Sequence, residues 1–86
     1  MKVIHKHYIS IREDVTLSLP MGYKILKVDA QNSDVVMWVL ADIDNEKIDV
    51  SFSVFGTGWV IPETVGEYIG TALCGALVWH VFKGES

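Results

Sequence analysis

The alternation of apolar and polar residues is the feature of this chain that most limits its fold. Residues 48–54 are typical, because Ile48, Val50, Phe52 and Val54 are separated by single polar residues. A repeat of two residues is that of an extended strand whose two faces meet different surroundings. No segment shows a good amphipathic helical pattern, so the alternation predicts an all-β chain.

Turn-forming residues divide the alternating segments into about seven short predicted strands. Pro20-Met21-Gly22, residues 31–34, residues 42–46 and Gly75 indicate the turns. The predicted strands span residues 3–9, 15–19, 24–30, 35–41, 48–55, 68–73 and 76–82. Residues 62–65, which begin with proline, are also compatible with a single helical turn. Short strands at close spacing are typical of a small antiparallel sandwich or a partly open barrel.

Length and composition predict a single domain that associates with copies of itself. The chain has 86 residues, which predicts one β domain over residues 1–86. Half of its residues are hydrophobic, and a domain this small has little interior in which to bury them. Because self-association covers spare apolar surface, we expect a homo-oligomer. Cys74 is the single cysteine, which suits a reducing compartment better than a disulfide-stapled secreted domain.

The charge balance argues against direct binding to DNA or RNA. The formal net charge is −4, and the seven Lys and Arg residues are scattered along the chain. Nucleic-acid binding needs clusters of Lys and Arg side chains. A small anionic ligand is still compatible with this charge, because backbone amides can hold a phosphate. No apolar run is long enough to cross a bilayer, and we expect no membrane association and a cytoplasmic location.

The segment from Phe55 to Pro62 interrupts the strand pattern and is the best candidate for a binding feature. Gly56 and Gly58 bracket Thr57, and Trp59 follows with a flat face for stacking. One interpretation is a nest of backbone amides that holds a phosphate or ribose, with the Thr57 hydroxyl as an extra donor. The other is a bulge or turn that ends a strand. The segment lacks the lysine and following helix of a P-loop.

Tryptophan and histidine side chains supply further candidates. Trp38 and Trp79 lie within apolar strands, which favours a core or interface role. His80 also lies in an apolar strand, where it either contacts a ligand or hydrogen-bonds a neighbour. His5 and His7 project from one strand face and could bind a metal together with His80, although no cysteine pair or nearby acid cluster supports a metal site.

No set of residues assembles into a catalytic site. Cys74 is more simply a small buried thiol than a nucleophile, because no spacing pairs it with a histidine. Asp42, Asp44 and Glu46 lie in a predicted turn without the fuller alternation of a calcium-binding loop. With no acid–base pair, nucleophile dyad or metal set, we expect no enzymatic activity and no cofactor.

Several short words of the sequence together carry a resemblance to a known family. They are residues 3–8 (Val-Ile-His-Lys-His-Tyr), residues 19–22 (Leu-Pro-Met-Gly), Trp38, residues 55–58 (Phe-Gly-Thr-Gly) and residues 68–71 with 77–82. Through them nearly the whole chain resembles a family of short proteins encoded by tailed phages and prophages. The resemblance implies a viral protein that acts in the bacterial host cytoplasm. Small phage proteins of this kind commonly counter host defences, and the resemblance supplies no catalytic residues.

Two hypotheses for function follow. The first is a non-enzymatic phage protein that counters host defence by sequestering a small anionic, nucleotide-like signal in the pocket of an oligomer. Its candidate ligand-binding residues are Gly56, Thr57, Gly58, Trp59, Tyr68, Thr71 and His80. The alternative is a protein–protein inhibitor or accessory factor that masks a host effector, with an acidic balance suited to a basic surface.

Overall fold

Seven β-strands form two antiparallel sheets in the computed structural model, which describes residues 1–84. The strands are β1 (Lys2–Ile9), β2 (Val15–Pro20), β3 (Lys24–Gln31), β4 (Asp34–Asp42), β5 (Lys47–Gly56), β6 (Glu67–Cys74) and β7 (Leu77–Lys83). The three-stranded sheet has the order β1-β4-β3, and the four-stranded sheet has the order β2-β5-β7-β6. The sheets pack as a sandwich and do not close into a barrel, so the all-β prediction and its sandwich alternative are confirmed.

The segment between β5 and β6 is irregular and contains no helix. The amide of Val65 donates to the carbonyl of Pro62 at 3.1 Å, which makes one isolated turn, so the possible helical turn at residues 62–65 is not formed. Gly66 then passes so close to the end of β7 that an added Cβ would lie 1.7 Å from the carbonyl oxygen of Lys83. Within residues 1–84 no helix has the length and hydropathy of a membrane span.

The core lies between the sheets and contains the inward members of the alternating pattern. β4 is the central strand of its sheet, as its apolar sequence predicts, and it contributes Val35, Met37 and Val39. From the other sheet, Phe52 and Val54 are completely buried. The other fully enclosed core residues come from β2, β6 and β7: Leu19, Ala72 and Val81. Alternation along the strands therefore determines which side chains are buried.

The two sheets approach most closely where β6 lies beside β3. Pairing of β6 with β7 shifts register between Tyr68 and Gly70, and this bulge carries Gly70 against the opposite sheet. An added Cβ at Gly70 would lie 2.6 Å from the Cβ of Val28, well inside van der Waals contact. A glycine is required here because the side chain of Val28 on the facing strand leaves no room for a Cβ.

We expect Gly70→Ala to destabilise the fold, since either β3 or β6 must move to admit the methyl group. Overpacking of this kind costs about 1–3 kcal/mol, measured as the free energy of unfolding in urea. Leu73→Ala is the matched control, because Leu73 is on the same strand and 68% exposed and its truncation is expected to change stability by about 0.5 kcal/mol or less. Equal effects of the two substitutions would contradict the proposed contact.

The outer face of the three-stranded sheet brings together charges that are scattered in the sequence. Four lysines share this face with the half-buried Trp38: Lys2, Lys6, Lys24 and Lys27. Three aspartates lie on the same face: Asp29, Asp34 and Asp42. Four of the seven scattered basic residues therefore share one face of the fold. Their charge is nevertheless largely balanced, with Lys27 Nζ 3.1 Å from a carboxylate oxygen of Asp29.

His5 and His7 project from one face of β1, as predicted, and this face points towards the other sheet. His5 is opposite Val39 and His7 is opposite Met37 in the ladder with β4, and both partners are buried. His80 belongs to β7 in the other sheet, so the three histidines do not meet. Among residues 1–84 no group of three or more His, Cys, Asp or Glu side chains is placed to hold a metal ion.

The stability of the folded chain is expected to depend on the protonation of His7. Partial burial lowers the pKa of His7 from its ordinary value of 6.5, and positive charge on His5 and Lys47 lowers it further. The unfolded chain therefore binds this proton more readily, and stability that is complete above pH 6.5 is lost as the pH falls towards the folded-state pKa. Urea unfolding at about pH 7.5, 6.5 and 5.5 measures the loss.

The variant His7→Gln tests this assignment, because glutamine keeps a polar side chain and does not titrate. Its free energy of unfolding is expected to change less between about pH 7.5 and 5.5 than that of the unsubstituted chain. Parallel pH profiles for the two proteins would show that His7 is not the responsible group.

Candidate functional site

The Gly-Thr-Gly segment forms a tight turn directly after β5. The amide of Trp59 donates to the carbonyl of Gly56 at 3.1 Å, and the amide of Thr57 donates to the carbonyl of Val78 at 3.3 Å. Gly58 has a φ of 89°, a left-handed conformation that glycine adopts without strain. Because the amides of Thr57 and Trp59 are already used, the geometry favours the turn interpretation of this segment over the nest of backbone amides. The side chains of the turn are what a ligand can reach.

Trp59 folds back from this turn across the end of the sandwich. Its indole lies so close to Gly56 that an added Cβ there would be 2.8 Å from the ring. The indole also meets Trp79 edge to face, with ring centroids 5.6 Å apart and an interplanar angle of 81°. Trp79 packs against the core, as predicted, whereas Trp59 is 48% exposed. One of the two rings is therefore anchored and the other is available to a ligand.

A shallow groove of about 330 Å³ opens beside these two rings. Its walls come from the turn and from the start of β7, and they include Gly56, Thr57, Trp59, Leu77, Val78 and Trp79. Most of the wall is apolar, and its polar side-chain groups are the hydroxyl of Thr57 and the indole N–H groups of Trp59 and Trp79. The glycine turn therefore borders a real hollow, as the ligand-binding interpretation of the sequence requires.

A hydrogen-bonded relay runs from the groove across the outer face of the four-stranded sheet. Thr57 Oγ1 is 2.8 Å from His80 Nε2, His80 Nδ1 is 3.1 Å from Thr71 Oγ1, and Thr71 Oγ1 is 2.5 Å from the hydroxyl of Tyr68. The ladder between β6 and β7 explains the arrangement, since it places Thr71 directly opposite His80. His80 is thus satisfied by neighbouring side chains.

The relay can run in two directions, and each leaves a hydroxyl proton free at a different end. A neutral imidazole donates from one nitrogen and accepts at the other. If His80 donates from Nε2 to Thr57, the Thr57 hydroxyl proton is free to point into the groove. If His80 donates from Nδ1 to Thr71, the free proton lies at Tyr68. A hydrogen-bond acceptor bound in the groove therefore selects the first direction.

Aromatic rings support the far end of the relay. Tyr68 packs on Phe82 with centroids 5.5 Å apart, and Phe82 packs on Phe55 with centroids 5.9 Å apart, both edge to face. Phe55 is 2% exposed although the alternation places it on the outer face of β5, away from the core-facing Val54. The row holds the phenol of Tyr68 within reach of Thr71, which fixes the geometry of the relay.

Comparison with known families places the chain in one of them. Residues 1–86 match a family described as a domain of unknown function, DUF7352. The chain belongs to this family. It matches no curated protein and no solved structure. The family description names no ligand or activity.

The structure divides the seven sequence-predicted site residues of this DUF7352 domain into three groups. Gly56, Thr57 and Trp59 border the groove. Tyr68, Thr71 and His80 form the relay, which Thr57 connects to the groove. Gly58 serves the turn alone, because an added Cβ there would have no atom within 4 Å.

Sequence reasoning missed the β7 side of the groove and the aromatic support. The missed residues are Leu77, Val78, Trp79, Phe55 and Phe82. Trp79 lies opposite Gly56 in the ladder between β5 and β7, and that pairing joins positions distant in sequence. The alternating pattern of residues 76–82 predicted a strand here, but it did not indicate which strands would pair with it.

Other sequence candidates have structural roles away from the groove. Cys74 is a free, half-buried thiol that packs against the core. Asp42 and Asp44 contact the amino group of Met1 at 2.9 and 2.8 Å, which lowers the pKa of Asp42 through that hydrogen bond. These contacts give the acidic turn a local pairing role.

We expect Gly56→Ala to displace Trp59 from Trp79, because the new methyl group would occupy the space of the indole. Two indoles this close couple electronically, and the coupling is expected as a paired positive and negative band in the circular dichroism spectrum. Gly56→Ala should remove this pair of bands and leave the strand signal unchanged. Trp38→Phe is the control, since it removes an indole from the other sheet and should leave the bands. Bands retained in Gly56→Ala would contradict the packing of Trp59 on Gly56.

Proposed function

We propose that this chain is a non-enzymatic binding protein of phage origin that captures a small, anionic, nucleotide-like ligand in the host cytoplasm and so counters host defence. The observation that carries the proposal is the position of Thr57, which belongs both to a tryptophan-walled groove and to a hydroxyl–imidazole relay. A flat ring can stack in such a groove while a polar edge hydrogen-bonds at Thr57.

The groove suits a base or nucleoside better than a complete larger ligand. Its volume of about 330 Å³ is at the lower end of the range of small-molecule sites. Stacking on an aromatic ring contributes about 1–3 kcal/mol per base and tolerates any base. The half-exposed Trp59 offers such a ring, and Trp79 supports it from below.

A second copy of the chain would complete the pocket. Large apolar side chains around the groove are exposed, with Val60 at 89%, Leu73 at 68% and Leu77 at 57%. Leu77 is part of the groove wall, and Leu73 is opposite Val78 in the adjoining ladder. Covering these residues would bury apolar surface and deepen the groove at the same time. The proposed functional unit is therefore a homo-oligomer.

The surroundings of His80 support binding over catalysis. Both ring nitrogens hydrogen-bond to hydroxyl groups of threonine. A histidine that acts as a general base is usually oriented by a carboxylate or by a similar third group. In residues 1–84 no carboxylate hydrogen-bonds to His80, and the relay orients donors and acceptors for recognition.

The double variant Thr57→Ala/Trp59→Ala is expected to lose ligand capture while it keeps the fold. Purified protein is incubated with extract of infected cells and heated, and released small molecules are identified by mass spectrometry. Affinity for the identified molecule is then measured by calorimetry. Loss of one stacking contact and one hydrogen bond is expected to weaken binding by about a hundredfold.

A matched control removes the same two side-chain types from other surfaces. Tyr8→Ala/Thr16→Ala truncates an exposed aromatic residue and an exposed threonine, and it should keep full affinity. Unchanged binding by the Thr57/Trp59 double variant would rule out the groove as the ligand site, whatever the ligand is.

The outer face of the three-stranded sheet favours one alternative function, the masking of a host effector protein. Ile4 is 55% exposed and Tyr8 58% exposed on this face, beside the half-buried Trp38. Exposed apolar residues among balanced charges are typical of a protein–protein contact. This alternative predicts that heating releases no small molecule and that the protein captures a host protein instead. The Tyr8→Ala/Thr16→Ala variant should lose this capture, and the Thr57→Ala/Trp59→Ala variant should retain it.

A further inference from the structure

A second cavity lies on the other side of the sandwich from the β3–β6 contact. It has a volume of about 240 Å³ and is bordered by His5 and His7 of β1, Ser18 of β2 and Lys47 of β5. These residues belong to both sheets, so the cavity occupies the space between edge strands β1 and β2. It shares no residue with the groove at Thr57.

Groups that carry or accept positive charge converge on this cavity. The imidazoles of His5 and His7 are 6.4 Å apart between ring centroids, and Lys47 lies on the opposite wall. No Asp or Glu borders the cavity in the described part of the chain, although the chain as a whole carries a net charge of −4. Asp49 is opposite Ser18 in the β2–β5 ladder and does not border the cavity.

Among residues 1–84 no carboxylate forms a salt bridge with any of these basic groups. The salt bridges found within residues 1–84 involve Met1 and Lys27 and leave out His5, His7 and Lys47. Like charges held together cost free energy. Burial lowers the pKa of His7, and the neighbouring charges of His5 and Lys47 lower it further. An anion placed between them would remove this cost and accept their hydrogen bonds.

The floor of the cavity is apolar. Val39 and Ala41 of β4 and Ile43 of the following turn border it, and Val39 is 2% exposed. A bare, strongly hydrated ion gains nothing from such a floor, whereas a ligand with a short hydrocarbon part can cover it. The chemistry of the cavity therefore fits a ligand with one charged end and one apolar end.

We propose that this cavity binds a small organic oxyanion, in which a carboxylate or phosphate group lies between His5, His7 and Lys47 and a short apolar body lies on Val39 and Ala41. The hydroxyl of Ser18 is the remaining donor. The volume is below that of sites for drug-sized ligands, so the apolar body is limited to a few carbon atoms. This ligand is distinct from the one proposed for the groove.

Binding of butyrate is expected to strengthen as the pH falls from about 8 to 6, because a bound anion favours the charged form of an imidazole and the carboxylate stays ionised over this range. The titratable groups that border the cavity are His5 and His7 on β1 and Lys47 on β5, while β2 supplies Ser18 and β4 supplies apolar side chains. A phosphate ligand also gains a proton over this pH range, since its second pKa is about 6, so the pH dependence is measured with butyrate.

Nuclear magnetic resonance of the imidazole groups tests the proposal with the intact chain. Butyl phosphate, butyrate and inorganic phosphate are titrated at constant ionic strength in sodium chloride, at about pH 6 and pH 8. We expect the His5 and His7 resonances to move together and His80 to stay unchanged. Butyl phosphate should bind more tightly than inorganic phosphate because its chain covers the apolar floor. The comparison with butyrate identifies which acid group is preferred.

Lys47→Gln and Lys24→Gln form a matched pair of variants. Both lysines are exposed strand residues, and Lys24 does not border the cavity. Lys47→Gln should weaken binding by about tenfold through loss of a charge-assisted hydrogen bond, and Lys24→Gln should leave it unchanged. Absence of saturable shifts at His5 and His7 with all three anions, or equal weakening by both variants, would overturn the proposal.

Discussion

The close approach of β3 and β6 at Val28 and Gly70 determines how the two sheets lie on one another. Because Gly70 has no Cβ, the two sheets can come into contact along this edge. The opposite edge strands, β1 and β2, make few contacts with each other in the described chain. The sandwich is therefore closed on one side and open on the other, and the cavity between His5, His7 and Lys47 occupies the open side.

The strands could be predicted from the sequence because a repeat of two residues has one structural meaning. Val50, Phe52 and Val54 alternate with polar residues, and all three are buried. Phe55 shows the limit of this reasoning, because it faces away from the core and is buried against Phe82 all the same. Its burial depends on which strand pairs with β5, and the order β2-β5-β7-β6 joins segments distant in the chain. The relay could not be assembled from sequence for the same reason.

The space between a three-stranded and a four-stranded sheet is too small to enclose all the hydrophobic residues, which make up half of the chain. The consequence is visible at the end of the sandwich, where Trp59 and Leu77 border the groove with much of their surface exposed. It is visible again on the outer face of the three-stranded sheet, where Ile4 and Tyr8 are exposed. Composition alone indicated spare apolar surface. The structure locates part of it in these two patches, and the two proposed functions differ in which patch is used.

The two proposed sites, the groove and the cavity, lie in different parts of the molecule and have different chemistry. Within residues 1–84 the groove wall has aromatic rings and one hydroxyl but no charged side chain, so a phosphate of the proposed ligand would meet solvent or a second copy. Its polar selectivity then depends on the relay, because a ligand acceptor at Thr57 would determine the direction in which the hydrogen bonds of the relay run. Since His80 donates from Nε2 when the Thr57 proton faces the groove, the hydrogen of Tyr68 is then donated to Thr71. Binding at Thr57 is thus coupled to the tautomer of His80 and to the phenol of Tyr68 through three hydrogen bonds.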